Sequence, residues 1–516
     1  MKRFSFLLVG VLVVSLLSGC FLQPSAMRGG SKVKPTAARD YVDYSALDYR
    51  EGEVLIKANG IGSLAEVLEK EGSVILNEWP QIGWVAASVP AGETVSSFIA
   101  KLKSYKEVLI AEPNMRYELP DPTFKTDLQL MSETELPEGD LYKKQWGLKN
   151  IKAEEAWQIT TGSPDVIVAI IDTGVDVGHP EFEGKEFVGS FDATGEDTPH
   201  LDLHGHGTHV AGIAADDGRT GKMAGVAWDS PIMPIRVMDS TMSIYTYYLT
   251  DAMIYLGEYA EANPGKRIVA NMSIGGRGYS YAFKDAIDFA AERGVLLVTS
   301  AGNDYVRIIS YPSAYNGVVT VAASTPHDDK ADFSTTGWWN SVAAPGVGIW
   351  STVTEGGYES WQGTSMASPF VTGAAALLLA QHPELTPLQM KNQIEQTARG
   401  NGFTEELGYG VIDVAAMIGD LKPMAYGSLK VTTNIDPEDV GYGVITVFGS
   451  DGMLRAYGTT GADGSHTFHA MQPGDYTVTL SFYNPVKGSW DIAYDEVRVE
   501  VEKTATIGFD VDLEAK

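Results

Sequence analysis

Val168-Ala169-Ile170-Ile171-Asp172-Thr173-Gly174 is an unbroken apolar run that ends on a carboxylate and then on Thr-Gly. A strand with one wet face would alternate apolar and polar residues, so this run reads as a strand buried on both faces. It belongs to a series, at 166–171, 232–237, 268–273, 295–299 and 318–322, separated by stretches of helical period. Parallel strands need a crossover, and helical crossovers cover both faces of the sheet. The series therefore predicts an α/β unit with a parallel sheet over residues 145–420.

On either side of this unit the pattern changes. Residues 51–118 read as a small α+β unit, with strands at 53–58, 73–77, 83–88 and 107–112 and helices at 63–72 and 94–105. Residues 119–144 are acidic and contain proline, as a linker does. From 421 to 516 helical period stops, and short alternating strands with glycine turns predict an all-β sandwich: 429–433, 444–448, 467–469, 476–482 and 497–501. No internal repeat of 20 to 50 residues is present.

The chain has 516 residues, 44% of them hydrophobic, which supplies several cores and excludes a disordered or fibrous protein. Its net charge of −29 repels phosphate backbones, so nucleic acid is excluded as a partner class. One cysteine forms no intramolecular disulfide and no thiolate zinc site. That cysteine, Cys20, follows Lys2, Arg3, an apolar run and Leu17-Ser18-Gly19, the layout of an export signal over residues 1–20 with a polar tether over 21–50. The alternative, a membrane-spanning helix, wants about 20 apolar residues, more than this run provides. Leu17 to Cys20 resembles the bacterial lipobox, which implies a diacylated Cys20 and attachment to a membrane through that lipid.

Three segments carry reactive side chains. Asp172 ends a buried strand, where an aspartate is otherwise an ordinary turn former. His204-Gly205-His206-Gly207-Thr208-His209 opens an apolar helix, but its histidines lack the i, i+4 spacing that puts two metal ligands on one helical face. Gly363-Thr364-Ser365-Met366-Ala367-Ser368-Pro369 leads into a second apolar helix; its serine reads as an N-cap or as a hydroxyl polarised by the helix dipole. A fourth segment, Ser300-Ala301-Gly302-Asn303, follows a buried strand.

Together these segments resemble the subtilisin-like serine proteases across the whole middle unit. The resemblance implies Ser365 as nucleophile, His206 as general base and then acid, Asp172 as the group orienting the imidazole, and Asn303 as donor to the oxyanion. It makes His209 structural and marks Met366 as an oxidation liability. It implies a substrate strand at Ser273-Ile274-Gly275, with Ser300, Gly302 and Ser310 around the residue preceding the scissile bond; none of these is acidic, so large apolar side chains are expected there. Calcium is the ion that the resemblance brings, with Gln145 and Glu181 as ligands and Asp216 and Asp217 as further candidates, although Arg219 and Lys222 in the same loop oppose it. No organic cofactor is implied. Residues 51–118 resemble the propeptide that inhibits and chaperones such proteases, and the sandwich resembles carboxypeptidase regulatory-like domains.

The expected protein is thus an exported, autoprocessing serine endopeptidase acting on protein or peptide substrates, with cleavage of the linker beyond the Leu119-Pro120-Asp121-Pro122 segment, near Phe124 to Met131. Two readings compete: an inactive scaffold on the same fold, and an adhesin whose role lies in the sandwich.

Overall fold

The protein is described by a computed structural model covering residues 44–120, 140–434, 443–461, 463–484 and 486–511. The signal and Cys20, and the linker stretch expected to hold the maturation site, lie outside these residues. Among the described residues no helix is long and apolar enough to cross a membrane.

The N-terminal unit is an antiparallel sheet of β1 (Tyr49–Ala58), β2 (Ile75–Trp79), β3 (Trp84–Ser88) and β4 (Val108–Tyr117), with α1 (Ile61–Glu71) and α2 (Val95–Leu102) on one face. Alternation along β1 divides its side chains between two cores. Val54 and Ile56 pack under α1 and α2, whereas Leu55 points into the middle unit.

Short helices α3 (Asp140–Lys144), α4 (Trp146–Asn150) and α5 (Ala153–Ala156) lead into the middle unit. Its strands are β5 (Val166–Asp172), β6 (Phe191–Asp192), β7 (Ile232–Arg236), β9 (Arg267–Met272), β10 (Leu296–Ser300), β11 (Val319–Ser324) and β12 (Val342–Pro345). They form one sheet in the order β12-β11-β10-β9-β5-β7-β6, with every pair parallel. Val166, Val168 and Ile170 of β5 face the core under α6 (His206–Ala215) and α9 (Thr364–Gln381). Ile167, Ala169 and Ile171 face α7 (Thr246–Ala262) and α8 (Tyr281–Glu292). All seven β5 residues are buried, as the unbroken apolar run predicts.

The N-terminal sheet lies on α7 and α8 and takes its fifth strand, β8 (Ile244–Tyr245), from the middle unit. This pairing explains why β4 runs five residues past the expected end at 112. Polar anchors fix the contact: Trp79 Nε1 donates to Asp251 (3.0 Å), and the fully buried Glu112 accepts from Ser280 Oγ (2.6 Å) and from the N–H groups of Tyr281 (2.9 Å) and Ala282 (3.2 Å) at the start of α8.

The C-terminal unit is a sandwich. One sheet has β17 (Leu454–Thr459), β16 (Val444–Gly449), β19 (Gly474–Asn484) and β20 (Ser489–Val499) in that order; the other has β18 (Ser465–Met471), β15 (Gly427–Thr433) and β21 (Thr504–Phe509). Strands β17 and β21 are absent from the sequence expectation, and β20 starts eight residues earlier than expected. Ile445 and Val447 of β16 face the sandwich core, while Val444 and Phe448 join the core shared with α7, α8 and the N-terminal sheet.

Candidate active site

Asp172 ends β5 and His206 begins α6, and the two side chains meet with Nδ1 of His206 at 2.7 Å from Oδ1 of Asp172. A carboxylate can only accept, so Nδ1 carries the proton and Nε2 presents its lone pair. Ser365 is the second residue of α9. Asp172, His206 and Ser365 have no exposed area. Among the described residues, His206 Nε2 and Ser365 Oγ have no hydrogen-bond partner. Buried polar atoms are nearly always paired, so two orphans on the reactive groups mark a site held ready for another molecule.

The close approach of α6 to β5 depends on Gly207. A Cβ there would lie 2.0 Å from the carbonyl oxygen of Gly174, and the Gly207 N–H donates to Thr173 Oγ1 (2.9 Å). Asp202 completes the fastening: Oδ1 accepts from Thr173 Oγ1 (2.7 Å) and the N–H of Gly205 (2.8 Å), Oδ2 from Thr208 Oγ1 (2.6 Å). Asp202 is a positioning residue that the sequence analysis missed. Its signal was present, an aspartate just ahead of a helix start. His209 is neutral and structural: burial pushes it down to about 3, and its ring stacks on Trp361 at 4.5 Å.

Asn303 lies beside the start of α9. Its Oδ1 accepts from the N–H (3.0 Å) and Oγ1 (2.9 Å) of Thr364, which fixes the direction of its amide. A Cβ on Gly363 would stand 3.3 Å from Asn303 Nδ2 and 3.7 Å from the backbone N of Ser365. Glycine therefore leaves space where two N–H donors converge.

The edge beside these groups is already occupied. Glu118, just past β4, exchanges both backbone hydrogen bonds with Gly275 (2.8 and 2.9 Å), and on its other side Gly276 pairs with Tyr311. Continued by two residues, this antiparallel register would set Pro120 opposite Ser273, whose Oγ donates to the carbonyl of Ser365 (3.1 Å). Ser273 and Ile274 are buried; a Cβ on Gly275 would meet Ser310 Oγ at 2.8 Å. Ser300 is buried, its Oγ without a partner among the described residues, and Gly302 has φ +102°, a conformation that glycine adopts without strain.

The remaining predicted ligands lie in a separate cluster. The Gln145 side chain exchanges two hydrogen bonds with the backbone of Ala224 (2.9 and 3.0 Å). Glu181 accepts from the hydroxyls of Thr220 and Tyr358. Arg219 pairs with Asp217 (3.1 Å) and caps the Gly184 carbonyl (2.9 Å). Burial, reinforced by the Glu181 charge, holds the Asp216 carboxyl well above its usual range. No group of three or more His, Cys, Asp or Glu side chains is arranged to hold a metal among the described residues.

Comparison with known proteins matches this architecture. Residues 163–410 match the Subtilase family and residues 35–114 the fervidolysin N-terminal prodomain. Fervidolysin of Fervidobacterium pennivorans is 33% identical over 478 residues, 84% of this chain and 68% of that protein. A thermophilic serine proteinase of Bacillus sp. (strain AK1) is 33% identical, covering 75% of this chain and 92% of that protein, and subtilisin of Bacillus pumilus is 37% identical, covering 52% and 97%. The crystal structure of fervidolysin, described as a keratinolytic enzyme related to subtilisin, superposes with a TM-score of 0.71 at 28% identity, covering 90% of this chain and 78% of that one. The chain belongs to the subtilase family and is a serine endopeptidase carrying a fervidolysin-type prodomain.

Proposed function

We propose that Ser365 attacks the scissile carbonyl while His206 Nε2 takes its proton, Asp172 holding the imidazole in the required tautomer. The Asn303 side chain and the Ser365 N–H bind the oxyanion. His206 then returns the proton to the departing amine, and water hydrolyses the acyl-enzyme by the same route. The observation that carries this reading is the 2.7 Å Asp172–His206 contact, which leaves His206 Nε2, like the buried Ser365 Oγ, without a partner among the described residues. A phosphonylating reagent tests it: the adduct should map to Ser365, and an adduct elsewhere would overturn the assignment.

Substrate adds as a strand to Gly275, where the prodomain tail now sits, and the absence of acidic side chains at Ser300, Gly302 and Ser310 supports large apolar residues before the scissile bond. For the calcium that the resemblance implies, the donors are uneven: Asp216 Oδ2 and Asp217 Oδ2 are buried and without a hydrogen-bond partner among the described residues, and with Gln145 and Glu181 they are the oxygens that would hold the ion, against the Arg219 charge. Gln145 and Glu181 already accept hydrogen bonds, and Arg219 occupies the loop. No step is assigned to a metal.

The prodomain tail sits on the substrate strand as a product would, yet it makes a poor substrate. Pro120 has no N–H for the ladder opposite Ser273 and would supply the attacked acyl group. We assign self-cleavage to a bond beyond Asp121, and place the precursor at the membrane through lipid on Cys20 until that cut releases an acidic, exported enzyme. Intact masses check both statements. The precursor should carry the diacyl group, the mature enzyme should begin after Asp121, and Pro120→Phe should create a new N-terminus at Asp121. A wild-type enzyme beginning at Asp121 would refute the assignment.

Glu112 makes prodomain docking sensitive to pH. Burial pushes its carboxyl up to about 7, outweighing the bonds from Ser280, Tyr281 and Ala282, with Asp285 adding repulsion. The neighbouring Tyr44, Tyr117 and Tyr315 are raised by burial and stay neutral. Because docking raises the pKa above the free value of 4.5, the docked state binds the proton more tightly. Docking is therefore favoured at acid pH and weakens as pH rises toward about 7. Between pH 5 and 8 the dissociation constant of the cut prodomain should rise roughly a hundredfold, and Glu112→Gln should flatten the profile. Gel filtration of a cut but catalytically silent Ser365→Ala chain reads it.

A further inference from the structure

We infer that the C-terminal sandwich helps to hold the inhibitor: it closes over the ion pair by which the prodomain grips α8 and so sets how long the cut prodomain stays bound. The inference rests on the prodomain acting as the intramolecular inhibitor.

Three units meet at Asp285 on α8. Its Oδ2 accepts from Lys57 Nζ of β1 (2.5 Å) and from Trp84 Nε1 of β3 (2.7 Å), both in the prodomain. The Lys57 and Asp285 side chains are only 11% and 13% exposed. The third wall is Tyr457 of β17, a sandwich residue 2% exposed. Its ring stands edge-on to Tyr281 at 4.5 Å, and Lys57 Nζ lies 5.9 Å from its centroid. Leu55 and Trp84 of the prodomain share one buried cluster with Val444, Phe448, Leu454 and Tyr457 of the sandwich.

Exposed Lys–Asp pairs hold little, because water solvates each charge as well as the partner does. Excluding water strengthens both the attraction and the hydrogen bonds that share the carboxylate. His466 of the sandwich, on the strand after β17, adds no compensating charge: burial holds it down at about 4 and hence neutral. What it supplies is an apolar lid with an aromatic face toward the ammonium group. The Tyr457 hydroxyl has no partner among the described residues, so the ring carries the effect.

The test uses the full chain carrying Ser365→Ala, so that neither part is digested, with a recognition site for an unrelated protease inserted after Gln129. After cutting, the release rate of the prodomain is followed by gel filtration. Tyr457→Ala should speed release about tenfold, and Tyr457→Phe should match the parent. Lys57→Met should speed release at least as much, and the double variant should be no faster than Lys57→Met alone, because the ring acts through the pair. Should the alanine variant fail to fold, Tyr457→Leu replaces it, with the same expected acceleration. Parental release from the alanine or leucine variant would overturn the inference, as would multiplicative effects in the double variant. Because release is read without catalysis, failure of the Ser365 assignment would show separately, in the labelling experiment.

Discussion

Ser365→Ala lowers kcat on a peptide with phenylalanine before the scissile bond by about 10⁶-fold, the scale on which a subtilisin loses activity with its nucleophile. The variant keeps Asp172, His206, Asn303 and the substrate strand, so residual activity from oxyanion and substrate binding alone sets the floor. Folding is not at risk. Ser365 Oγ is buried and unpartnered, and replacing an orphaned hydroxyl by hydrogen leaves no polar group worse off. Thermal unfolding should therefore be unchanged or slightly higher, which separates loss of chemistry from loss of structure. Retention of more than about a thousandth of the parent rate would remove Ser365 from its role.

Gly207→Ala is the second large effect, and it acts without touching a reacting atom. The new methyl would stand 2.0 Å from the Gly174 carbonyl oxygen, two residues past β5, and 3.1 Å from Asp172 Cβ at the end of that fully buried strand. Neither can give, because Asp202 fastens this loop to α6 through Thr173 and Thr208. The helix start must back away, stretching the 2.7 Å contact between His206 and Asp172. A displacement near 1 Å costs about 10²-fold in rate, and loss of the tautomer held by Asp172 about 10⁴-fold, so kcat should fall between those limits with KM little changed. A parallel drop in thermal stability is expected. Parental kcat in a folded Gly207→Ala enzyme would contradict the role given to this glycine.

The site was legible where a reactive residue sits at the junction of strongly patterned elements. Asp172 ends an apolar strand, and His206 and Ser365 open apolar helices; periodicity marked those junctions, and the resemblance to subtilisin-like proteases implied the roles of the three residues. Asp202 left only a weak mark: it stands just ahead of a helix start, but a loop aspartate looks the same whether it faces water or ties two buried elements together. The two units joined by β4 and β8 were read as separate, since β8 has two residues and no period to detect. In the sandwich, β20 alternates through exposed positions and offers few apolar residues to mark its start. Tyr457 posed a different problem: alternation in β17 separates its two faces but does not say that the outer one is buried by another domain.

The sheet shared between prodomain and enzyme divides unequally when the two part. The enzyme keeps β8, two residues long, whereas the prodomain keeps β4, ten residues long, on which Arg116 and Tyr117 lose their strand partners. The prodomain also uncovers Leu55, Trp79, Trp84, Leu109 and Ile110, an apolar face on a domain too small to rebury them. The freed inhibitor is thus the partner exposed to aggregation and digestion, while the edge that the enzyme uncovers at Gly275 is the one that takes substrate. Separation of the two becomes a one-way event, driven by what befalls the smaller piece.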